Sequence, residues 1–263
     1  MLSTIERKPK MNTTNEIWQS KVKQIFVHYD YIVKPRGLEV REVMASQYTV
    51  GMPAFIDLIS RNTNVSFMFA EAAWIISGSN HLSRLTPYMK IYSNFSDDGI
   101  FLAGAYGPKI VDQLSYVVNT LQSDNDSRQA VINIWRERPG SSKDIPCTTN
   151  MQFFIRKGML NMVTTMRSQD IILGFTYDVF TFSMVANAVR LLLLERGIKT
   201  QLGKLFVTAG SMHIYETHYS KVDEWTKSYE RDPHIDYAVG DVMKATSYED
   251  LIKRLKDGAE SYK

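Results

Sequence analysis

Apolar and polar positions follow two periods along the chain, and the changes of period divide it into elements. In TNEIWQSKVKQIFVHYDYIV, residues 14–33, apolar side chains recur at helical intervals and predict an opening helix. LEVREVMASQYTVGM, residues 38–52, switches to the alternation of a strand. NVSFMFAEAAWIISGS (64–79) and YGPKIVDQLSYVVNTLQSD (106–124) return to helical spacing, the first with Gly78 as its stop. SRQAVINIW (127–135) reads as a buried strand. TTNMQFFIRK (148–157) and MLNMVTTMRSQD (159–170) are two strands joined by a tight turn at Lys157-Gly158. The strongest helix is DVFTFSMVANAVRLLLLERG (178–197), with Asp178 as its N-cap and Gly197 as its stop. LGKLFVTAGSMHIYETH (202–218) is a last strand ending in a polar cluster. Mixed strands and long helices predict an α/β or α+β sandwich. No repeat, low-complexity tract or Pro/Gly/Ser-rich linker divides the sequence, so residues 1–263 are read as a single domain.

Composition narrows the class. A chain of 263 residues that is 44% hydrophobic has material for a sizeable core, and 22% charged with 11% aromatic residues argues against disorder. The net charge of +3 is too balanced to imply nucleic-acid binding, yet it does not hinder a small anionic ligand. A lone cysteine, Cys147, excludes an internal disulfide and a multi-cysteine zinc site, and it fits a reducing cytosol. The N-terminal MLSTIERKPKMNTTNEIW has no apolar signal core. The longest apolar run, FTFSMVANAVRLLLLERGI, is interrupted by Arg190 and reads as too short to span a bilayer. A soluble, cytoplasmic protein is expected. KVDEWTKSYERDPHIDY and the charged C-terminus carry no usable motif and read as a solvated helix and loop.

Single residues carry little. Cys147 alone is more readily an inert buried hydrophobe than a nucleophile, His213 a structural histidine, Arg167-Ser168 a strand end, and Asp178 a helix cap. Their joint order changes the picture. Pro-Cys, then Arg-Ser-x-Asp, then Leu-Gly-x-x-x-Asp, then Gly-Ser-x-His-x-Tyr resembles the thymidylate synthase family. That family carries Pro-Cys, Arg-Ser-x-Asp, Leu-Gly-x-x-x-Asn and Gly-x-x-His-x-Tyr. Upstream, DNDSRQAVINIW is similar to the family's Asp-Pro-Asp-Ser-Arg-Arg strand, AEAAWIISGSN to its His-Glu-Leu-x-Trp-Phe-x-x-Gly helix, and IYSNFSDDGIFLAGAYG to its Ile-Trp-x-x-Trp…Tyr-Gly segment. The likeness runs from about residue 33 to 220. It implies a mixed β-sheet covered by helices, packed sheet to sheet across a homodimer interface, and covalent chemistry at Cys147.

The chemistry accounts for the residue types. A pyrimidine C5 is a poor nucleophile until a thiolate adds at C6 and breaks the ring conjugation. Cationic charge favours the thiolate. Arg167 is spaced to supply it, and a guanidinium also grips phosphate bidentately. By resemblance, Arg36 and Ser168 join Arg167 at the nucleotide phosphate, and Arg128 reaches that site from the second subunit. Gln129 stands where the family has a second arginine. Resemblance also implies 5,10-methylenetetrahydrofolate as co-substrate, with no metal. Its contacts would be Ile91, Tyr92, Phe95, Asp170, Leu173, Gly174 and Tyr177. Glu71 would organise water and protons near the base, Tyr106 would lie near the thiol, and His213 and Tyr215 would hold the sugar 3′-hydroxyl.

Asp178 departs from the family's asparagine. An Asn amide offers one donor and one acceptor, which match uracil's O4 and N3–H. A carboxylate accepts instead from the 4-amino group and the protonated N3 of cytosine. The pattern resembles the deoxycytidylate hydroxymethylases found in some bacteriophages, as do Thr148-Thr149-Asn150 after the thiol. Tyr92 replaces the tryptophan that shields the exocyclic methylene in synthases, and EDLIKRLKDGAESYK is unlike their closing tail. Both changes favour water over hydride. The expectation is a dCMP hydroxymethylase making 5-hydroxymethyl-dCMP, in a bacterial host cell if phage-encoded. Behind it stand a dCMP 5-methyltransferase, a divergent thymidylate synthase acting on dUMP, and a catalytically retired nucleotide- or RNA-binding relative.

Overall fold

A computed structural model describes residues 13–136 and 140–263, so most of the polar N-terminal segment read above for a signal lies outside the described residues. Helix α1 (Thr14–Val27) opens on a capping box: the Thr13 hydroxyl accepts from the Glu16 amide, and the Glu16 carboxylate accepts from the Thr13 amide. It buries Trp18, Val22 and Ile25. The helix stops at Val27, short of the expected residue 33, because the aromatic and β-branched run Tyr31–Val33 forms edge strand β1 instead.

Six strands form one sheet in the order β1-β2-β6-β5-β4-β3. They are β1, β2 (Val40–Gly51), β3 (Val131–Asn133), β4 (Thr148–Arg156), β5 (Met159–Asp170) and β6 (Gln201–Tyr215). The β4–β5 hairpin turns at Lys157 (φ 52°) and Gly158 (φ 74°), the paired positive φ of a two-residue turn that matches strand twist. Every neighbouring pair is antiparallel except β5 and β6, and a parallel pair needs a crossover helix.

That crossover is α4 (Gly174–Glu195), whose sequence stops at Gly197 (φ 82°) as expected. Its start differs. Asp170 Oδ1 accepts from the amides of Ile172 (2.7 Å) and Leu173 (3.0 Å), so the chain turns helical at Gly174. Asp178 is therefore inside the helix and is not its N-cap. At 22 residues α4 is long and apolar enough to cross a membrane, contrary to the expectation from sequence. However, 78% of its most apolar stretch is buried against α2 (Val65–Ile76), α3 (Gly107–Ser123) and the sheet, as befits a core helix.

One feature of the sheet redirects side chains. Along its first part the inner face carries Tyr48 on β2, Val207 and Ala209 on β6, and Thr164 and Met166 on β5. Pairing is then interrupted across three strands at Ala45, Gly210 and Arg167, with Ala45 at φ 48°. Past this row the buried positions become Val43, Met212 and Gln169, one residue out of phase with the alternation before it. Gly210 lies close under the kink: a Cβ there would stand 3.0 Å from the Arg167 carbonyl oxygen. On the opposite face Thr49, Phe206, Val163, Gln152 and Val131 lie side by side in register, and none of them is buried.

The C-terminal region is more ordered than a solvated helix and loop. It forms α5 (Val222–Lys227), α6 (Pro233–Val242) and α7 (Tyr248–Ser261). Trp225 is buried and donates its indole N–H to the Ser60 carbonyl. Leu251, Leu255 and Ala259 form one buried stripe of α7 facing α2. The Ser66 and Tyr248 hydroxyls tie the two helices through the Ala259 and Ile76 carbonyls.

Candidate active site

Cys147 sits immediately before β4, where the chain emerges from Pro146, and its Sγ is half-buried. Ser168 Oγ donates to that sulfur at 3.6 Å from the adjacent strand. The Arg167 amide donates to the Cys147 carbonyl, and its guanidinium bonds the carbonyls of Pro146 (3.0 Å) and Ile145 (2.9 Å). The arginine thus splints the loop that presents the thiol. Burial pushes the thiol up from its ordinary value, the Arg167 charge and the Ser168 hydroxyl pull it down, and the carboxyls of Asp178 and Asp144 push it up. Among these influences burial is the largest.

Cys147 opens into a cavity of about 230 Å³. Asp178 reaches the same cavity from the second turn of α4, Glu71 from α2, Tyr106 from the start of α3, and Ser168, Gln169 and Asp170 from the end of β5. Tyr92, Asp144 and Thr181 add to the polar part of the wall, Gly174 lies beside them, and Trp74, Leu102, Met166 and Phe182 supply apolar surface. Such a mixture of apolar walls and few convergent polar groups is what a small-molecule site requires.

Four carboxyl groups, those of Glu71, Asp144, Asp170 and Asp178, line this low-dielectric space, and two of them are displaced furthest. Burial pushes Asp178 up to about 7, opposed by the Gln169 amide and reinforced by the charges of Glu71 and Asp170. Burial likewise pushes Glu71 up to about 7, opposed by the Tyr92 hydroxyl bonded to it and by the nearby Thr181 hydroxyl. The Tyr92 hydroxyl donates to Glu71 Oε1 at 2.6 Å. The Tyr106 hydroxyl accepts from the Thr148 amide at 3.2 Å, beside the thiol. Gly174 lies close by: a Cβ there would stand 3.2 Å from Asp178 Oδ2, and the carboxyl group would have to give by a few tenths of an ångström.

The family model described as "Thymidylate synthase" matches residues 16–255. The chain belongs to the thymidylate synthase family. Among relatives of this family, a protein named deoxyuridylate hydroxymethyltransferase from Bacillus phage SP01 is 29% identical over 216 residues, covering 73% of this chain and 55% of that protein. A protein of the same name from Pseudomonas phage M6 is 30% identical over 173 residues, covering 62% of this chain and 48% of that one. The chain therefore spans about half the length of these phage relatives. A thymidylate synthase from Vesicomyosocius okutanii is 22% identical over 62% of this chain and 65% of its own. Among solved structures, the thermostable thymidylate synthase A from Bacillus subtilis superposes with a TM-score of 0.69 at 18% identity, over 84% of this chain and 87% of that one, which establishes the shared fold.

Of the residues the thymidylate synthase pattern singled out, Cys147, Glu71, Asp178, Tyr106, Ser168, Asp170, Gly174 and Tyr92 converge on the cavity. Others stand around it. Ile91 (53% exposed), Phe95 (38%) and Leu173 (50%) are solvent-facing apolar side chains flanking Tyr92 and Gly174. Tyr177 is behind the wall, its hydroxyl accepting from the Asn64 amide and its ring edge-on to Phe67. His213 pairs with Asp170 across β5 and β6, its ring edge-on to Tyr215, and burial holds its imidazole below the ordinary range. Arg36 occupies an exposed turn between β1 and β2, with φ 55°. Arg128 is exposed near the β3 edge, its carbonyl bonded by Gln152, and it does not line the cavity.

Sequence reasoning missed Gln169 and Tyr48. Gln169 Nε2 donates to Asp178 Oδ2 at 2.9 Å, and the Tyr48 hydroxyl donates to Gln169 Oε1 at 3.1 Å. Strand alternation after Met166 predicts Ser168 on the inner face and Gln169 on the outer. Only the kink at Arg167 turns Gln169 inward, and no sequence signal marks that kink beyond Gly210 on the neighbouring strand.

Proposed function

We propose that this chain is a single-domain, folate-dependent pyrimidine-nucleotide hydroxymethyltransferase acting on dCMP. The observation that carries it is that the Cys147 thiol and the buried Asp178 carboxyl face one nucleotide-base-sized cavity. In this reading the Cys147 thiolate adds to C6 of the base, and C5 gains the electron density to bond a one-carbon unit. Arg167, with Arg36 and Ser168, takes the phosphate, while His213 and Tyr215 hold the sugar hydroxyl. 5,10-Methylenetetrahydrofolate supplies the one-carbon unit at the formaldehyde oxidation level; loss of the C5 proton and departure of tetrahydrofolate would leave an exocyclic methylene, and once water has added to it the Cys147 sulfur would leave C6. The uncovered apolar side chains of Ile91, Phe95 and Leu173 beside Tyr92 and Gly174 fit a flat ring system, and Asp170 can accept its N–H groups.

Asp178 selects the base by proton accounting. Cytosine with Asp178 needs one proton shared between N3 and the carboxyl group, while the other oxygen accepts from the 4-amino group. A carboxyl raised to about 7 supplies that proton at neutral pH. Glu71, also near 7 and bonded to the Tyr92 hydroxyl, can hold a water molecule and take its proton as oxygen adds to the exocyclic methylene. A polar phenol in this place favours hydroxymethyl over methyl product. Action on dUMP is the second reading. It is favoured by the names of the two phage relatives and by the fact that a neutral carboxyl also offers one donor and one acceptor.

Incubating the protein with methylenetetrahydrofolate and either dCMP or dUMP, followed by mass spectrometry, tests both. The expected product is 5-hydroxymethyl-dCMP. A methylated product would refute the hydroxymethyl assignment, and turnover of dUMP alone would refute the role given to Asp178.

A further inference from the structure

We propose that Gln169, held in orientation by Tyr48, is the positioning residue that decides which oxygen of Asp178 carries the carboxyl proton, and that this decision discriminates 4-amino from 4-oxo pyrimidines. The inference rests on the reading that Asp178 faces the base of a pyrimidine nucleotide.

The two base edges differ in one respect relevant here. Both pair with a carboxyl group that carries a single proton, but with opposite placement of it. Against cytosine, the oxygen facing the 4-amino group must accept, and the proton lies between the other oxygen and N3. Against uracil, the oxygen facing O4 must donate, and the other accepts from N3–H. An unconstrained carboxylic acid can place its proton on either oxygen and satisfies both bases. A carboxyl whose proton is confined to one oxygen satisfies only one of them.

The structure supplies such a constraint. Gln169 is 2% exposed and Tyr48 7%, so neither can exchange its partner for water freely. The Tyr48 hydroxyl donates to Gln169 Oε1, which directs the Gln169 amide N–H at Asp178 Oδ2. An oxygen that already receives a hydrogen bond from that amide is held as an acceptor, so the proton is left to Oδ1. Tyr48 is itself fixed by its ring, which packs on Phe175 at 4.7 Å. Gly174, lacking a Cβ, leaves Oδ2 uncrowded on that side. Among the described residues, no cationic side chain bonds to Asp178. The titratable side chains whose charge acts between them and Asp178 are Glu71 from α2, Asp170 from β5, Tyr48 from β2, Tyr92 and Tyr106 from the opposite wall, and Cys147. All are acids, and none of them donates a hydrogen bond to Asp178, so the amide of Gln169 alone distinguishes its two oxygens among the described side chains.

Dissociation constants for dCMP and dUMP, measured from about pH 5 to pH 9 across the carboxyl titration, test this in the wild type, Gln169→Met and Tyr48→Phe. Gln169→Met keeps the volume and removes both polar atoms. Tyr48→Phe keeps the ring and frees the amide to flip, so it gives an answer even where the first variant folds poorly. The wild type is expected to prefer one nucleotide, and each variant to reduce that preference by about tenfold or more. Gln169→Met should also move the pH midpoint of binding upward, because the ionised carboxyl loses a donor. Weaker binding of both nucleotides with unchanged preference and midpoint makes Gln169 mere filler and overturns the inference. A wild type with no preference overturns it equally. Binding of neither nucleotide by the wild type instead removes the functional reading beneath it.

Discussion

At the scale of single residues, the site depends on a carboxyl group kept where ionisation is costly. Asp178 in the folded chain titrates near 7, whereas an unfolded aspartate titrates near 3.9. Between those values the unfolded chain has lost its proton and the folded one retains it, so stability falls as pH rises through that window and stays reduced above it. Replacing Asp178 with asparagine removes the ionisation while keeping an acceptor for Gln169. The variant is expected to be more stable than wild type at pH 8, by roughly 2 kcal/mol after allowing for relaxation of the site, since each pKa unit corresponds to about 1.4 kcal/mol. At pH 5 the difference should be much smaller. Urea denaturation at the two pH values checks this, and an advantage that does not grow with pH would mean that the carboxyl is not buried as described. The same variant carries a functional expectation. An amide can neither give a proton to the cytosine N3 nor carry negative charge beside it, so nucleotide preference should move toward dUMP, read as the ratio of kcat/KM for the two substrates. Stability gained at the expense of base selection is the trade expected where a strained group serves function.

Among the elements, the kink through Ala45, Gly210 and Arg167 is what assembles the site from a regular sheet. It turns Gln169 toward Asp178 and leaves Arg167 pointing at the loop before Cys147, two outcomes that a straight strand could not combine. Adding one methyl group by Gly210→Ala would force the Arg167 backbone away, because the atom 3.0 Å from the new Cβ is a carbonyl oxygen with little freedom to give. Overpacking of this kind costs about 1–3 kcal/mol. The expected result is a stability loss of that size together with a loss of turnover beyond what stability explains, since Arg167 and Cys147 share a backbone hydrogen bond. Retained turnover in a folded variant would show that the close approach is incidental. Much else at this scale was legible beforehand. The Lys157-Gly158 turn, the Gly197 stop and the periodicities of α2 and α3 follow from local chemistry that nothing distant overrides. The start of α4 was misread because Asp170 bonds the amides ahead of it, leaving Asp178 free to point inward. The end of α1 was misread because Tyr31–Val33 can pair with β2, a partner that helical spacing cannot reveal. The family motifs brought eight of the named residues to one cavity, whereas Gln169 depended on a long-range interruption of the sheet that no local pattern encodes.

For the molecule as a whole, the sheet's second face poses the remaining question. Phe206 is 38% exposed beside Val163 in a row that ends at Val131 and also carries Thr49 and Gln152, and an exposed aromatic next to a half-buried valine on a sheet face is the kind of surface that a partner covers. Arg128, expected at a phosphate site, stands away from the cavity of its own chain. Both facts are accounted for if a second copy lies against this face and receives Arg128 into its own site, an arrangement in which one patch serves both partners about a two-fold axis. The prediction is one of complementation. Cys147→Ser lacks the nucleophile and Arg128→Ala lacks the borrowed cation, so each alone should be nearly inactive. Mixed and allowed to exchange subunits, they form hybrids in which one of the two sites draws an intact thiol from one chain and an intact arginine from the other. With half of the dimers hybrid and one good site in each, activity should recover to about a quarter of wild type. Phe206→Glu should abolish both the recovery and the dimer in sedimentation, because a charge placed beside Val163 under the second copy would be buried without a partner. Subunits that exchange freely while the mixture stays inactive would confine Arg128 to its own chain.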